Sequence, residues 1–385
     1  MAVSSTSSGS LKTGVCLSTD RPDNPFTGQV IFETDTGKVF VWAGSTWVNI
    51  GDTSGEGVQL PSGTTAERPS SPTAGQMRFN ETTGEPEYYH SAAGWLKFRS
   101  APELTVSYLV IAGGGGGGGA IRGGGAGAGG YRNSYASETS GGLSSGETPL
   151  TLSYKTSYSI TVGAGGNSGA YSASNGAVAG TNGSDSIFSG ITSTGGGGGA
   201  ASDSPGTGRS AGAGGSGGGG WYGSNSPPGA GTANQGFGGG SGGNSPPYGG
   251  GGGGAGQAGR AYNDGSDPNG GGDGLESSIT GSAVYRAGGG SSSDYTVASN
   301  RPGGLGGGGV GTNLTGVTPP VATANGTANT GGGGGASGNG GSGTVILRYD
   351  GPAPTVSAGL TYTISNVGSD KVIEFTAGTG TVSWG

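Results

Sequence analysis

The segment Tyr108-Leu-Val-Ile-Ala112 continues without a break into seven consecutive glycines, residues 113–119. A strand-like apolar segment is thus joined directly to a polyglycine tract. The tract recurs farther along the chain, at residues 195–199, 217–220, 249–254, 306–309 and 331–335. A single flexible hinge does not explain a feature that recurs so often, so we expect glycine to have an architectural role.

Glycine supplies 100 of the 385 residues, about four times its usual share of roughly 7%. About a third of residues 101–343 are glycine, as in collagen, but the strict Gly-X-Y period and the high proline content of collagen are missing. One alternative is a flexible Gly/Ser linker. We favour a bundle of polyglycine helices of the polyproline II type, with three residues per turn, joined by lateral backbone hydrogen bonds.

Composition also argues against several classes of protein. Acidic residues outnumber basic ones by 23 to 16, and no basic patch suggests nucleic-acid binding. No apolar run approaches the roughly 20 residues of a membrane-spanning helix, so we expect no membrane insertion. The Ser/Thr-rich stretch after Met1 has no apolar core, and from it we expect no secretion signal.

The chain has one cysteine, Cys16, and one histidine, His90. This pair excludes an intrachain disulfide and a Cys/His zinc cage, and it leaves little from which to build a nucleophilic catalytic site. We therefore predict that the protein is not an enzyme and has no cofactor.

The first hundred residues contain a repeat. Residues 18–50 align with residues 65–98, so that Arg21-Pro22 matches Arg68-Pro69 and, one inserted residue later, Trp47 matches Trp95. Each copy has the pattern of a small β-meander of three strands with a Thr-Gly turn. Units with so few apolar side chains do not offset their ordering cost, so we expect them to need neighbouring repeats or other subunits.

The predicted fold class is mainly β with a polyglycine helix bundle and almost no α-helix. Short strands are expected within the glycine-rich region and at its end, at residues 105–111, 158–162, 186–191, 283–286 and 344–349. The predicted organisation is an N-terminal arm (1–17), two β-meander repeats (18–59 and 60–100), a glycine-rich domain (101–350) and a C-terminal small β unit (351–385). The last unit is expected to be a β-hairpin followed by a separate strand at residues 381–384.

Candidate binding residues lie between the glycine tracts, where aromatic side chains follow stiff proline turns or small residues. Aromatic rings stack on the C–H faces of sugars, and Asn side chains bind hydroxyl groups. The candidates for receptor binding are Trp221, Tyr222, Asn225, Tyr248, Tyr262 and Tyr295. The alternative is that these rings cap the ends of the lattice or fill subunit interfaces.

A calcium site is a weaker possibility in the loop that follows Tyr262. Asp264, Asp267 and Asp273 place oxygen ligands at short intervals around glycines. Neither the calcium-helix loop spacing nor the nonapeptide β-roll pattern is present, and Asp, Asn and Gly are the usual residues of tight turns. We therefore predict no bound metal.

Two stretches resemble parts of known phage proteins. Residues 60–80, LPSGTTAERPSSPTAGQMRFN, resemble short repeats in the tail fibres of tailed bacteriophages, especially cyanophages and other marine phages. Residues 106–349, from VSYLVIAGG to GSGTVILRY, look like the glycine-rich domain of phage fibre and adhesin proteins. Fibres with such a domain are often much longer than this chain.

The resemblance implies a structural protein of the virion, made in the host cytoplasm. It implies a homotrimeric short tail fibre that is attached to baseplate or tail adaptor proteins through its N-terminal part and binds a host cell-surface glycan or protein. A virion scaffold or decoration protein without a receptor, such as a baseplate collar or a head fibre, is the alternative.

Overall fold

A computed structural model describes residues 14–52, 60–98, 103–119, 123–172, 176–201, 209–221, 226–244, 247–262, 269–293, 302–311 and 324–385. The chain forms two compact units, residues 1–102 and residues 103–385. These described ranges contain no α-helix, and their 3-10 helices include Thr65–Glu67 and Gly141–Leu143. The prediction of a mainly β fold with almost no α-helix is confirmed. No helix within the same ranges is long and apolar enough to cross a membrane.

The first unit contains two four-stranded sheets, one built on each repeat, and the first strand of the first sheet lies in the segment predicted as the N-terminal arm. Their strands are β1 (Gly14–Cys16), β2 (Val30–Glu33), β3 (Lys38–Trp42) and β4 (Trp47–Asp52), then β5 (Ser62–Gly63), β6 (Met77–Asn80), β7 (Glu85–His90) and β8 (Gly94–Lys97). The last three strands of each sheet form the predicted antiparallel meander, and the first strand adds in parallel. The short first strands were not predicted.

The second unit has sixteen strands in its described residues. They are β9 (Glu103–Ile111), β10 (Tyr131–Asn133), β11 (Leu150–Ser153), β12 (Tyr158–Thr161), β13 (Tyr171–Ser172), β14 (Gly176–Ala177), β15 (Ser186–Phe188), β16 (Ile191–Ser193), β17 (Gly243–Asn244), β18 (Pro247–Tyr248), β19 (Leu275–Ser277), β20 (Val284–Arg286), β21 (Thr344–Tyr349), β22 (Thr355–Val356), β23 (Leu360–Val367) and β24 (Asp370–Ser383).

Ten of these strands form one sheet, whose main path is β10-β9-β21-β24-β12-β15-β16. β9 is the second strand of this path, paired on one side with β10 and β11 and on the other with β21, and its apolar run is buried on both faces. Val106, Tyr108 and Val110 pack into one hydrophobic cluster, whereas Leu109 and Ile111 pack into another.

The C-terminal strands belong to this same sheet. β24 is a single strand of 14 residues that pairs with β21 and β23 and then with β12. The sequence predicted a hairpin and a separate strand instead, because the glycines Gly378 and Gly380 interrupt the alternation.

The glycine tracts lie outside the strands, in extended segments between residues 112 and 343 that we call the glycine lattice. The first segment shows its geometry through its hydrogen bonds. The N–H groups of residues 113, 116 and 119 donate to the carbonyl groups of residues 184, 181 and 178. Those of residues 114 and 117 donate to residues 341 and 338, and those of residues 115 and 118 donate to residues 127 and 124. The partner changes with a period of three residues, as the polyproline II helix requires.

The carbonyl groups of this first segment complete its surroundings. They accept from residues 196 and 199, from residues 166 and 169, and from residues 334 and 337. Three neighbours therefore receive hydrogen bonds and three others donate them, so the segment is enclosed by six others. The backbone hydrogen bonds that a β-sheet would make in one plane are here distributed around an axis.

Candidate functional site

The lattice has two unlike ends. Its first segment leaves β9 at Ala112 and runs away from the ten-stranded sheet for about 20 Å, at roughly 3.1 Å per residue. The next, residues 123–130, runs antiparallel to it and returns to the sheet at β10. We call the end near the sheet the sheet end and the opposite end the loop end.

At the loop end an outgoing segment is followed by a returning one nine times. Once the two are joined by the described turn at residues 336–338, and eight times the connection between them lies outside the described residues. Hydrogen bonds between the flanking residues show this directly: Trp221 N donates to Ser226 O (3.1 Å), and Ala201 and Arg209 bond in both directions. The described residues that flank the eight connections are the pairs 119 and 123, 172 and 176, 201 and 209, 221 and 226, 244 and 247, 262 and 269, 293 and 302, and 311 and 324.

Three of the candidate aromatic residues come together at this end. Trp221 forms a β-bridge with Gly249, the residue after Tyr248. The rings of Tyr248 and Tyr262 stack with centroids 5.1 Å apart and planes 25° apart. A side chain at Gly243 would occupy the position of the Tyr262 ring, so glycine is needed there to seat this pair.

These aromatic rings differ in their exposure. Trp221 is 2% exposed and Tyr248 is 7% exposed, whereas Tyr262 is half-buried. In a single chain the indole of Trp221 therefore packs inside the loop end, where it has little surface to offer a ligand. Of these three candidates, Tyr262 has the ring with the most surface accessible to a ligand.

The remaining receptor candidates, Tyr222, Asn225 and Tyr295, lie outside the described residues. So do Asp264 and Asp267 of the weak calcium candidate, whereas Asp273 is described. Asp273 is separated from Asn269 by four residues of extended chain toward the sheet end, about 12 Å away. Its Oδ1 accepts a hydrogen bond from the N–H of Leu305 (2.8 Å). The described ranges hold no group of three or more His, Cys, Asp or Glu side chains suited to a metal.

Sequence reasoning missed a set of polar side chains that complete the lattice. Asn182 Oδ1 accepts from Gly198 N (2.9 Å) and Asp185 Oδ1 accepts from Gly195 N (2.8 Å), so two side chains replace carbonyl groups along one segment. Gln235 Oε1 does the same for Thr194 N (2.7 Å). The available signal was the three-residue spacing of Asn182 and Asp185, which matches the period of the helix they serve.

The hydrogen bonds of the lattice have a three-residue period, and nearly every enclosed position is glycine. A comparison of the sequence with known families agrees with this picture. A family described as glycine-rich domain matches residues 91–350. The chain belongs to the glycine-rich domain family. No curated protein and no solved structure matches the chain.

The match to the glycine-rich domain covers the lattice and most of the strands that support it. It ends at Asp350, directly after β21, so β23 and β24 lie beyond it although they share the ten-stranded sheet. The family description names a composition and no activity, so function has to be argued from the site.

Proposed function

We propose that the chain is a structural protein of a phage virion, a short tail fibre that binds a receptor on the host cell surface through its loop end. The observation that carries the proposal is the polarity of the second unit. The chain enters it at Glu103, at the sheet end, and the described residues that flank the eight connections lie at the opposite end. An attached body that presents many loops on its far side suits a receptor-binding tip.

The chemistry of the loop end favours a glycan as the receptor. The connections are rich in Ser, Thr, Asn and Pro, and Tyr262 presents a partly exposed ring beside one of them. Such residues bind sugars by stacking and by hydrogen bonds to hydroxyl groups. Individual contacts of this kind are weak, so the proposal includes a homotrimer, in which several tips act together.

The proposal also includes partners within the virion, which bind the part of the chain that precedes the second unit. The N-terminal part is attached to baseplate or tail adaptor proteins, and the protein is located in the virion. No catalytic step and no cofactor are included. The resemblance of residues 60–80 and 106–349 to phage fibre proteins supports this assignment.

The test measures binding of fluorescently labelled protein to cells of the host bacterium. We expect saturable binding, which Tyr295→Ala and Asn225→Ala in the connections weaken. Tyr285→Ala is the matched control, because Tyr285 is a 43% exposed tyrosine on β20, which is not at the loop end. Equal binding by all variants would remove the loop end from the proposal. No saturable binding, with the protein imaged on the capsid, would favour the decoration protein instead.

A further inference from the structure

The two repeat sheets of the first unit bury polar side chains on one face. In the second repeat, Arg78, Asn80 and Glu87 are each at most 5% exposed. The 3-10 helix Thr65–Glu67 and Arg68 cover this face: Arg68 pairs with Glu87 (2.6 Å), and Thr65 hydrogen-bonds Asn80. We call this side of each sheet the covered face.

The first repeat has the same arrangement. The guanidinium group of Arg21 pairs with the buried carboxylate of Glu33 and lies 4.4 Å from the centre of the Phe40 ring. Because Arg21 matches Arg68, both repeats use the same arginine to close the covered face. The charges of that face are therefore neutralised within each repeat.

The opposite side of each sheet, the open face, is apolar. Residues paired across strands share a face, and the strand register assigns to the open face of the first repeat Val15, Val30, Phe32, Val39, Val41 and Val48. In the second repeat it assigns Met77, Phe79, Pro86, Tyr88 and Leu96, and it adds the polar residues Ser62 and His90 at the margins of that face.

The open faces are exposed to solvent in the single chain. Val15 is 67% exposed and Val48 is 44% exposed in the first repeat, and Met77 is 47% exposed and Phe79 is 36% exposed in the second. Sheets with one solvated face normally turn their apolar side to the core and their polar side to water. Here the covered face combines its polar groups with apolar side chains such as Ile31 and Phe40, yet the solvated face is apolar as well, which marks the open faces as interaction surfaces.

We infer that the open faces of both repeats are the surfaces through which copies of this chain associate. The open faces carry no charged side chain, so an acidic or basic partner gains nothing there. They also occur twice, at matching positions of two repeats, so a partner needs two apolar faces in the same order along its chain. A second copy supplies them, and a symmetric oligomer buries the same patch on every subunit. This inference specifies the self-association within the proposed function, but it depends only on the sheets.

The test compares the mass of the full chain in solution, by sedimentation, with that of two double variants. Met77→Glu/Phe79→Glu and Val15→Glu/Val48→Glu place charges on the open faces. We expect the unmodified chain to sediment as a multiple of 36.3 kDa and each variant to associate roughly 100-fold more weakly, because burying unpaired charges is costly. The control Val284→Glu/Tyr285→Glu changes two exposed residues of β20, 37% and 43% exposed, and leaves association unchanged.

A cross-linking experiment covers the case in which the charged variants fail to fold. Phe79→Cys, made in a Cys16→Ser background and treated with a short thiol-reactive bifunctional reagent, is expected to give covalent dimers, whereas Tyr285→Cys is not. A monomeric unmodified chain, or no cross-link at residue 79, would overturn the inference.

Cell binding is measured separately on the same samples. Oligomers that bind no cells would contradict receptor binding but not this inference. Monomers that do bind would contradict this inference and the proposed homotrimer but not receptor binding.

Discussion

The glycine lattice and the ten-stranded sheet are both buried, yet they are built on opposite principles. In the sheet, side chains such as Leu347 and Phe188 fill the core at 0% exposure. In the lattice, the enclosed positions carry almost no side chains, and neighbouring backbones are in direct contact. The sheet is therefore stabilised mainly by apolar burial and the lattice by paired backbone groups.

This difference has consequences for sequence. Glycine loses more backbone entropy on folding than any other residue, so a glycine core is stable only if nearly all of its buried N–H and C=O groups are paired. A side-chain core tolerates exchange among residues of similar volume. A backbone core has no volume to exchange, and any added atom meets a neighbouring chain. We therefore expect the lattice to be destabilised most by substitutions that add atoms, and the sheet by substitutions that remove them.

The largest effect is expected from Gly197→Val in the lattice. The N–H of Gly197 donates to Ser216 O (2.9 Å), its C=O accepts from Gly127 N (2.8 Å), and an added Cβ would overlap the carbonyl group of Gly212. We expect a loss above about 4 kcal/mol or no folded protein. Melting temperature and protease resistance measure it.

Gly238→Ala is the control for this substitution. The nearest atom to an added Cβ at Gly238 is the Gly229 carbonyl oxygen at 3.2 Å, so a small shift accommodates the methyl group. We expect a change below about 1 kcal/mol. If Gly197→Val melted like the unmodified chain, the lattice would not be a packed structure.

In the sheet the informative change removes atoms. Leu347→Ala in β21 empties part of a fully buried position and should cost about 2–5 kcal/mol. Leu347→Met keeps the volume and should cost less than about 1.5 kcal/mol. Denaturant unfolding measures both. Equal losses for the two variants would mean that the sheet is as intolerant as the lattice, which would erase the distinction.

Much of the fold was predictable because the signals are local. The strands at β9, β12, β20 and β21 match the predicted apolar segments within two residues. The segment at residues 186–191 was wrongly taken as one strand: it is the hairpin β15–β16, whose turn places Ser189 and Gly190 at positive φ. The Ser-Gly pair was the available signal for that turn.

The pairing of lattice segments was not predictable. Every glycine offers the same two backbone groups, so the tracts contain no information about which neighbour they take. The strands at the sheet end determine which segments become neighbours, because β9, β12 and β16 each continue into a lattice segment from a fixed position in the sheet. The stacking of Tyr248 on Tyr262 depends on that order and was equally hidden.

A smaller effect is expected where a side chain completes the lattice. Asn182→Ala removes the acceptor of the buried Gly198 N–H and the donor to Ala213 O. We expect a loss of about 1–2 kcal/mol and faster hydrogen exchange at Gly198. Asn182→Asp retains the acceptor for Gly198 and should protect its amide better than alanine does. Identical exchange in both variants would show that water replaces the side chain at no cost.

The smallest effect is a pH dependence confined to the sheet end. Burial raises the pKa of Glu138, but hydrogen bonds from Ser277, Ser278 and Asn133 outweigh it and leave the pKa below its ordinary value. The folded state thus binds its proton less tightly than the unfolded state. The resulting stability is fully present above the ordinary glutamate pKa of about 4.3 and is lost as pH falls through the lowered value.

Glu138→Gln should remove this part of the pH dependence, and the change should be small because Glu138 is partly exposed and solvent screens its interactions. Thermal melts of the two chains from neutral into acidic solution measure the difference. Hydrogen exchange at residues 113–119, after correction for the intrinsic effect of pH, should stay the same in both chains, since peptide groups of the lattice do not titrate. If those glycines instead lost protection as Glu138 is protonated, the sheet and the lattice would unfold as one unit. The two regions would then differ in how they are packed but not in how they unfold.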